Sequence, residues 1–363
     1  MALYYINGNQ YSKEMVQSLS RDDFSRMVIL NHPQKLYKYY PNTIDVNTHR
    51  NYSIEALENN TVYLQTPTKF DDPYDSKVYL DEEQFAKRRI MHYASLCNFI
   101  IDPEWDINRL MYEFAMFLYP HSSSIQGLEV LFGILGDKNN YVDLIHDSFV
   151  LKLLNTLYTN NGSNDSWQKA FYEAIHAEFV STRNTLVERF RVACFTTTPY
   201  SMLMWAHYAN SHQGFCVEYE FPALEEKYSN LLSGLFPVIY TNERNSVLEQ
   251  FVQDLESPIV SDEVLWPIYK YGLLAKSLDW SYQNEWRLLS LDKMLADKSD
   301  YNCSFMPISK VYLGAKMKDD EERRKIAKIC DEKGIPVTCV MPKQDEFIMQ
   351  DCLRKPGCLL EKN

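Results

Sequence analysis

The chain has 363 residues, of which 45% are hydrophobic and 24% charged; that composition excludes wholesale disorder and suits one large elaborated domain or two. Lys and Arg number 37 against 49 Asp and Glu, a formal net charge of -12. A surface of that sign repels phosphate backbones and anionic lipid, so neither nucleic acid nor a membrane is an expected partner.

The short basic runs Lys87-Arg88-Arg89 and Arg323-Arg324-Lys325 are flanked by acids and fit solvated helix faces. Glycines number only 11, and no GxGxxG, GxxxxGK[ST], GxSxG or HExxH occurs. Phosphate loops, a nucleophile elbow and a zincin helix are therefore not expected. The 8 cysteines form no CxxC. Met1 to Gln10 lacks the pattern of a signal peptide, and no apolar stretch approaches the roughly 20 residues that span a bilayer. These features predict a cytoplasmic, reduced protein whose thiols pack as small apolar groups.

In chain order, residues 1–34 predict a helical segment with short helices at Ser12–Leu19 and Asp22–Leu30, stopped at His32-Pro33. Leu36–Tyr40 and Thr61–Gln65 read as strands around a short helix begun by Ser53. Thr66 to Asp75, with two prolines and three aspartates, is a structured loop. From 82 to 191 apolar residues recur at helical spacing, as in Leu110, Phe114, Phe117 and Leu118. Further helical segments are expected at Ile125–Leu135, Val142–Leu157 and Trp167–Phe190, making a helical insertion of roughly 100 residues.

Strand character returns at Val192–Phe195. Thr198 and Pro199 then open a helix to about Ser211. Phe215–Phe221 alternates strictly, with Phe215, Val217, Tyr219 and Phe221 inward and Glu218 and Glu220 toward solvent. Helices are predicted at Val247–Leu255 and Val264–Ser277, and strands at Pro237–Tyr240 and Trp286–Leu289. Ile308–Leu313, Asp319–Glu332 and Ile335–Val340 form a closing β–α–β unit. The fold class is α+β. A mixed β-sheet core from 35–81 and 192–363 carries the helical insertion at 82–191.

Five blocks, LYKYY, TPTKFDDPYD, CFTTTPYSMLMWAHYANSHQGFCVEYEF, KSLDWSYQNEWRLL and VYLG, follow one another in order. Together they resemble the bacterial domain-of-unknown-function family numbered 2971. Its pattern has FNDP where this chain has FDDP, a serine where Thr196 follows Cys194-Phe195, and often Glu at the position of Gln283. The resemblance implies a bacterial protein with a link to phage defence, and it brings no established activity.

One constellation carries chemistry. If Gln283-Asn284-Glu285-Trp286-Arg287 is extended, Gln283, Glu285 and Arg287 share a face. A Q-x-E strand resembles the way ADP-ribosyltransferases present a carboxylate that stabilises positive charge developing on the ribose of NAD. Thr196-Thr197-Thr198 is similar to their hydroxyl-bearing strand. Lys38 or Tyr39 stands where they carry an Arg or His. The candidate catalytic set is Glu285, Gln283, Thr196 and His207. The candidate ligand set, for NAD, is Lys38, Tyr39, Phe70, Thr198, Trp205 and Arg287. The same residues fit a plainer reading, in which Glu285 and Arg287 are a buried ion pair and Trp286 is core. His207 and His212 lie five apart, about 140° around a helix, which does not suit a metal; no metal is expected. Two functions stay open: an NAD-using enzyme, or a non-catalytic sensor or interaction module meeting a protein partner through the helical insertion.

Overall fold

A computed structural model describes residues 4–96, 98–121, 164–188, 190–221, 232–247, 266–291 and 301–352. The chain divides into two compact units. One comprises Met1–Lys77, Val187–Arg244 and Tyr269–Asn363; the other comprises Val78–Leu186 and Asn245–Ile268. The architecture is α+β.

The first unit is built on an eight-stranded mixed sheet. Its strands are β3 (Lys35–Tyr40), β5 (Phe190–Thr196), β6 (Phe215–Glu220), β7 (Leu235–Pro237), β10 (Glu285–Leu291), β12 (Ile308–Leu313), β13 (Val337–Pro342) and β14 (Met349–Asp351). They lie in the order β14-β13-β12-β6-β3-β5-β10-β7. Only β12 and β13 run parallel, joined by α8 (Glu321–Lys333) as the expected β–α–β unit. That helix is capped by Asp320 at its start and by left-handed Gly334 at its end.

Glu218 does not face solvent. Its strand β6 is central, and five of its six residues are buried. An inner strand covered on both faces loses the alternation that exposes every second side chain. Glu218 accepts hydrogen bonds from Ser309 (2.7 Å), Tyr312 (2.5 Å) and Lys35 (2.5 Å). Burial acts to raise its carboxyl, but Lys35, Tyr312 and Ser309 together hold it below the usual value.

The amino-terminal segment is more than the expected helices. Helices α1 (Lys13–Ser18) and α2 (Arg21–Leu30) are present, capped by Ser12 and Ser20. Before them stands a hairpin of β1 (Tyr4–Ile6) and β2 (Asn9–Tyr11). Asn7 and Gly8 both have left-handed φ, 48° and 79°, as a two-residue hairpin turn requires. Strand β1 continues onto β8 (Ile239–Thr241), which pairs with β9 (Ala275–Lys276), completing a four-stranded sheet. The hairpin falls within the segment read as helical, because strands of three residues give little periodicity. Two further corrections are local. The helix after the threonines is α7 (Met202–Tyr208), capped by Ser201 instead of Thr198. Residues Ile268–Leu273 form a single π-helical turn where a longer helix was expected.

Helix α1 has no basic residue in its last turn. Buried Lys270 supplies the cation from more than 250 residues away, donating to the carbonyls of Val16 (3.0 Å), Gln17 (2.9 Å) and Leu19 (3.2 Å). Burial pushes its pKa down to about 8 from 10.5. Between those values the folded chain has shed a proton that the unfolded chain keeps, so this group makes stability rise as pH rises from about 8 to 10.5. Thermal melts of wild type and Lys270→Met across that range should show the rise in wild type and a flatter profile in the variant.

The second unit's described helices are α4 (Glu82–Leu96), α5 (Ile107–Leu118) and most of α6 (Asn164–Glu188). Its core gathers Ile90, Tyr93, Leu110, Phe114, Leu118 and Phe171. Phe190 and Arg191 belong to β5, two residues earlier than expected. The helices predicted at Ile125–Leu135 and Val142–Leu157 lie outside the described residues, as does 248–255. The stretch from Asn245 joins this unit through Val247 N–H to Tyr79 O (3.1 Å) and Asp81 N–H to Ser246 Oγ (3.3 Å).

Candidate functional site

Strands β3, β5 and β10 bring Tyr37, Thr196 and Glu285 into one cross-strand row: Tyr37 is paired with Thr196, and Thr196 with Glu285. Residues directly opposite in antiparallel strands project from the same face. Gln283 is not part of that strand. It ends a 3-10 turn, Leu278–Gln283, and left-handed Asn284 (φ 43°) separates it from Glu285. The Q-x-E spacing survives, but a bend carries it instead of a continuous strand. The Thr196 hydroxyl donates to the Gln283 carbonyl (2.6 Å), which fixes the bend and occupies that hydroxyl proton.

Glu285 is at the centre of a buried quartet of charges. Its Oε1 accepts from Arg287 Nε (2.7 Å) and its Oε2 from Lys276 Nζ (2.7 Å). Arg287, 0% exposed, also grips both oxygens of Asp75 (2.7 and 2.9 Å) and donates to Ser76 Oγ (2.7 Å) and to the Leu273 carbonyl. Lys276 Nζ reaches Asp75 Oδ2 (2.9 Å) and Gln283 Oε1 (2.8 Å). Two carboxylates and two cations balance. Burial acts to raise the Glu285 carboxyl, but the Arg287 and Lys276 charges override it and hold it far below the ordinary carboxylate range. Burial likewise penalises the Lys276 ammonium, and the Glu285 charge more than restores it. The network continues outward, as Gln283 Nε2 donates to the Tyr208 hydroxyl (2.7 Å). It also meets the second sheet, where the Tyr240 hydroxyl accepts from Glu285 N–H (2.8 Å).

Within the same unit lies a cavity of about 1520 Å³, larger than the roughly 300–1,000 Å³ usual for small-molecule sites. Lys38, Tyr39, Phe70, His207, Gln283 and Glu285 all contribute to its wall. Four of the five sequence blocks therefore meet at one place, and VYLG is not among them. Thr196, Thr198, Trp205 and Arg287 are not on that wall. Thr196 and Arg287 lie behind it in the quartet's support. Trp205 is fully buried core: its indole donates to the Pro199 carbonyl (2.7 Å) and its ring meets Tyr39 edge-on at 5.0 Å. Thr198 holds a turn, accepting from Tyr200 N–H (3.2 Å) and, through its carbonyl, from the Tyr39 hydroxyl (3.1 Å).

Lys276 is the principal residue that the sequence does not single out, whereas Asp75 belongs to the Phe70–Asp75 loop expected near Glu285. Both stood inside the matched blocks, Lys276 opening KSLDW and Asp75 closing FDDPYD. Three aspartates in a loop fit turn chemistry, so nothing local separates Asp75 from Asp71 and Asp72; its partner Arg287 is 212 residues away in the chain. Tyr208 and Tyr240 carry no motif at all.

A family model described as "Protein of unknown function (DUF2971)" matches residues 204–288. The chain resembles DUF2971 there. The DUF2971-like segment runs from α7 into β10 and supplies His207, Tyr208, Lys276, Gln283, Glu285 and Arg287, while Lys38, Phe70 and Asp75 come from outside it. No curated protein and no solved structure matches the chain. Among the described residues no helix is long and apolar enough to cross a membrane.

Proposed function

We propose that the cavity of the first unit binds a ligand joining an anionic group to planar rings, with NAD as the ligand to test first, and that Glu285 organises this site without performing chemistry. The observation carrying the reading is the make-up of one wall. Lys38 has no carboxylate within ion-pair distance among the described residues, and Tyr40, Tyr63, Phe70, Tyr74 and Trp280 line the same space. Rings of this kind stack on planar ligands, and a lysine lacking a carboxylate partner favours an anion.

The ion pairs to Glu285 support an organising role. A catalytic carboxylate for ribosyl transfer must offer net negative charge to a developing cation. Glu285 has both oxygens engaged by Arg287 and Lys276, and its charge is balanced before any ligand arrives. A second reading, transfer of ADP-ribose from NAD, is favoured by one observation: the Tyr37–Thr196–Glu285 row across three adjacent strands.

Equilibrium dialysis with labelled NAD, together with an assay for released nicotinamide, separates the two. Saturable binding without nicotinamide release is the expected result. Absence of NAD binding removes the reading. Nicotinamide release that Glu285→Gln lowers by about 100-fold or more would establish the transferase instead.

A further inference from the structure

Strand β5 has two edges. One is paired along its whole length with β10, from Glu285–Thr196 to Leu291–Phe190. The other is held at two points, Val192 and Thr196. Val192 exchanges both backbone hydrogen bonds with Gln65 (3.1 and 2.9 Å), and Thr196 pairs with Tyr37. Backbone N–H and C=O groups two residues apart point to the same edge of a strand. Those of Cys194, midway between Val192 and Thr196, therefore face the gap where β3 turns away from β5. The next rung would pair Cys194 with Tyr39, and it is absent: β3 and β5 share the Tyr37–Thr196 pair alone.

Lys38 fills this gap from the β3 side. Its ammonium donates to the Cys194 carbonyl (3.0 Å), replacing the missing rung on the acceptor side. It stands 5.8 Å from the Tyr40 ring centre and 5.4 Å from that of Phe195. No residue of β3 is paired opposite the Cys194 N–H. Lys38 and Cys194 are both partly exposed, and an amide N–H and an ammonium that open on one cavity can both donate to the same ligand. The cavity wall contains Tyr37 and Tyr39 from one face of β3, and Lys38 and Tyr40 from the other. It therefore runs along the unpaired edge and reaches this gap, where Ala193, Cys194 and Phe195 also line it.

We infer that the gap between β3 and β5 is an anion subsite, in which the Lys38 ammonium and the Cys194 N–H hold the oxygens of a phosphate or diphosphate ester. The inference deepens the cavity reading and rests on it. The charge that selects the anion is local, because the wall as a whole carries acids as well as cations. Of the acids that act on Lys38, Glu285 is already balanced by Arg287 and Lys276. Burial lowers the Lys38 pKa, with Cys194 and Glu285 opposing it; a bound dianion would oppose it further. Two donors on different atoms suit an anion with several acceptor oxygens.

The test uses the full chain and inorganic pyrophosphate as probe, titrated by calorimetry, with NAD titrated in parallel. Wild type and Lys38→Arg should bind pyrophosphate, and Lys38→Met should bind it about tenfold or more weakly, the loss expected on removing a charged hydrogen bond. Pyrophosphate should also shield Lys38 of the wild type from acylation by an amine reagent, read by peptide mass mapping, which keeps the question open to an answer if Lys38→Met does not fold. No pyrophosphate binding by wild type, equal binding by Lys38→Met, or acylation of Lys38 unaffected by pyrophosphate would each overturn the subsite. NAD binding that Lys38→Met leaves unchanged would overturn the subsite and keep the cavity reading; NAD failing on wild type while pyrophosphate behaves as expected would do the reverse.

Discussion

Replacing Arg287 with methionine will destabilise the protein by about 3–5 kcal/mol, the cost of removing one partner from a buried ion pair. The side chain is fully buried, and its three nitrogens engage Glu285, Asp75, Ser76 and the Leu273 carbonyl. Without it, Asp75 and Glu285 share only Lys276, and one buried negative charge has no counterpart. Adding Glu285→Gln to Arg287→Met removes that surplus and leaves the Lys276–Asp75 pair (2.9 Å) in place. The double variant should therefore recover part of the loss, a coupling of about 1–3 kcal/mol. Urea unfolding of wild type, both single variants and the double variant measures the cycle. A cost below about 1 kcal/mol for Arg287→Met, the size of an ordinary surface change, would mean that the quartet is not organised as described.

Gly214→Ala is expected to be comparably damaging for a different reason. A Cβ there would stand 2.1 Å from the Tyr40 carbonyl oxygen and 3.0 Å from Ala209 Cα. Both are backbone atoms, so no side chain can swing aside. Tyr40 is the last residue of β3 and pairs with Phe215, so relief of the clash must open the β3–β6 ladder. Overpacking of this sort costs about 1–3 kcal/mol or more. Gly8→Ala provides the contrast. Its left-handed φ of 79° is unfavourable for alanine, but nothing lies within 4 Å of the added carbon, so the penalty should stay near the roughly 1–2 kcal/mol of left-handed strain. Equal midpoints for the two variants in guanidinium would contradict the close approach at Gly214.

Much of the first unit could be read from the chain because its elements announce themselves locally. Lys35–Tyr40 and Phe215–Glu220 are rich in aromatic and β-branched residues, and Glu321–Lys333 has an aspartate cap and a terminal glycine. Alternation misled at Glu218, because it signals which residues share a face and not whether the other face is wet. The site was half legible. Glu285 and Arg287 two apart on a strand imply a shared face, and either an ion pair or a reactive carboxylate follows from that alone. Choosing between those readings needed Lys276 and Asp75. Asp75 lies far from Glu285 in sequence, and the Lys276 ammonium reaches it through a turn that no periodicity describes. The gap at Cys194 was wholly invisible, since a missing rung depends on how two strands diverge and leaves no residue type behind.

The connectivity of the first unit also governs when it can form during synthesis. Strand β3 is made early, yet both of its neighbours, β5 and β6, lie more than 140 residues further along the chain. The hairpin of β1 and β2 waits still longer, for β8, and Arg287 reaches Asp75 only after most of the polypeptide has emerged. Until then Leu36, Tyr39 and Tyr40 have no sheet to enter. A growing chain arranged in this way is exposed to off-pathway association for most of its time on the ribosome, and its yield should respond to chaperone supply more than its final stability would suggest.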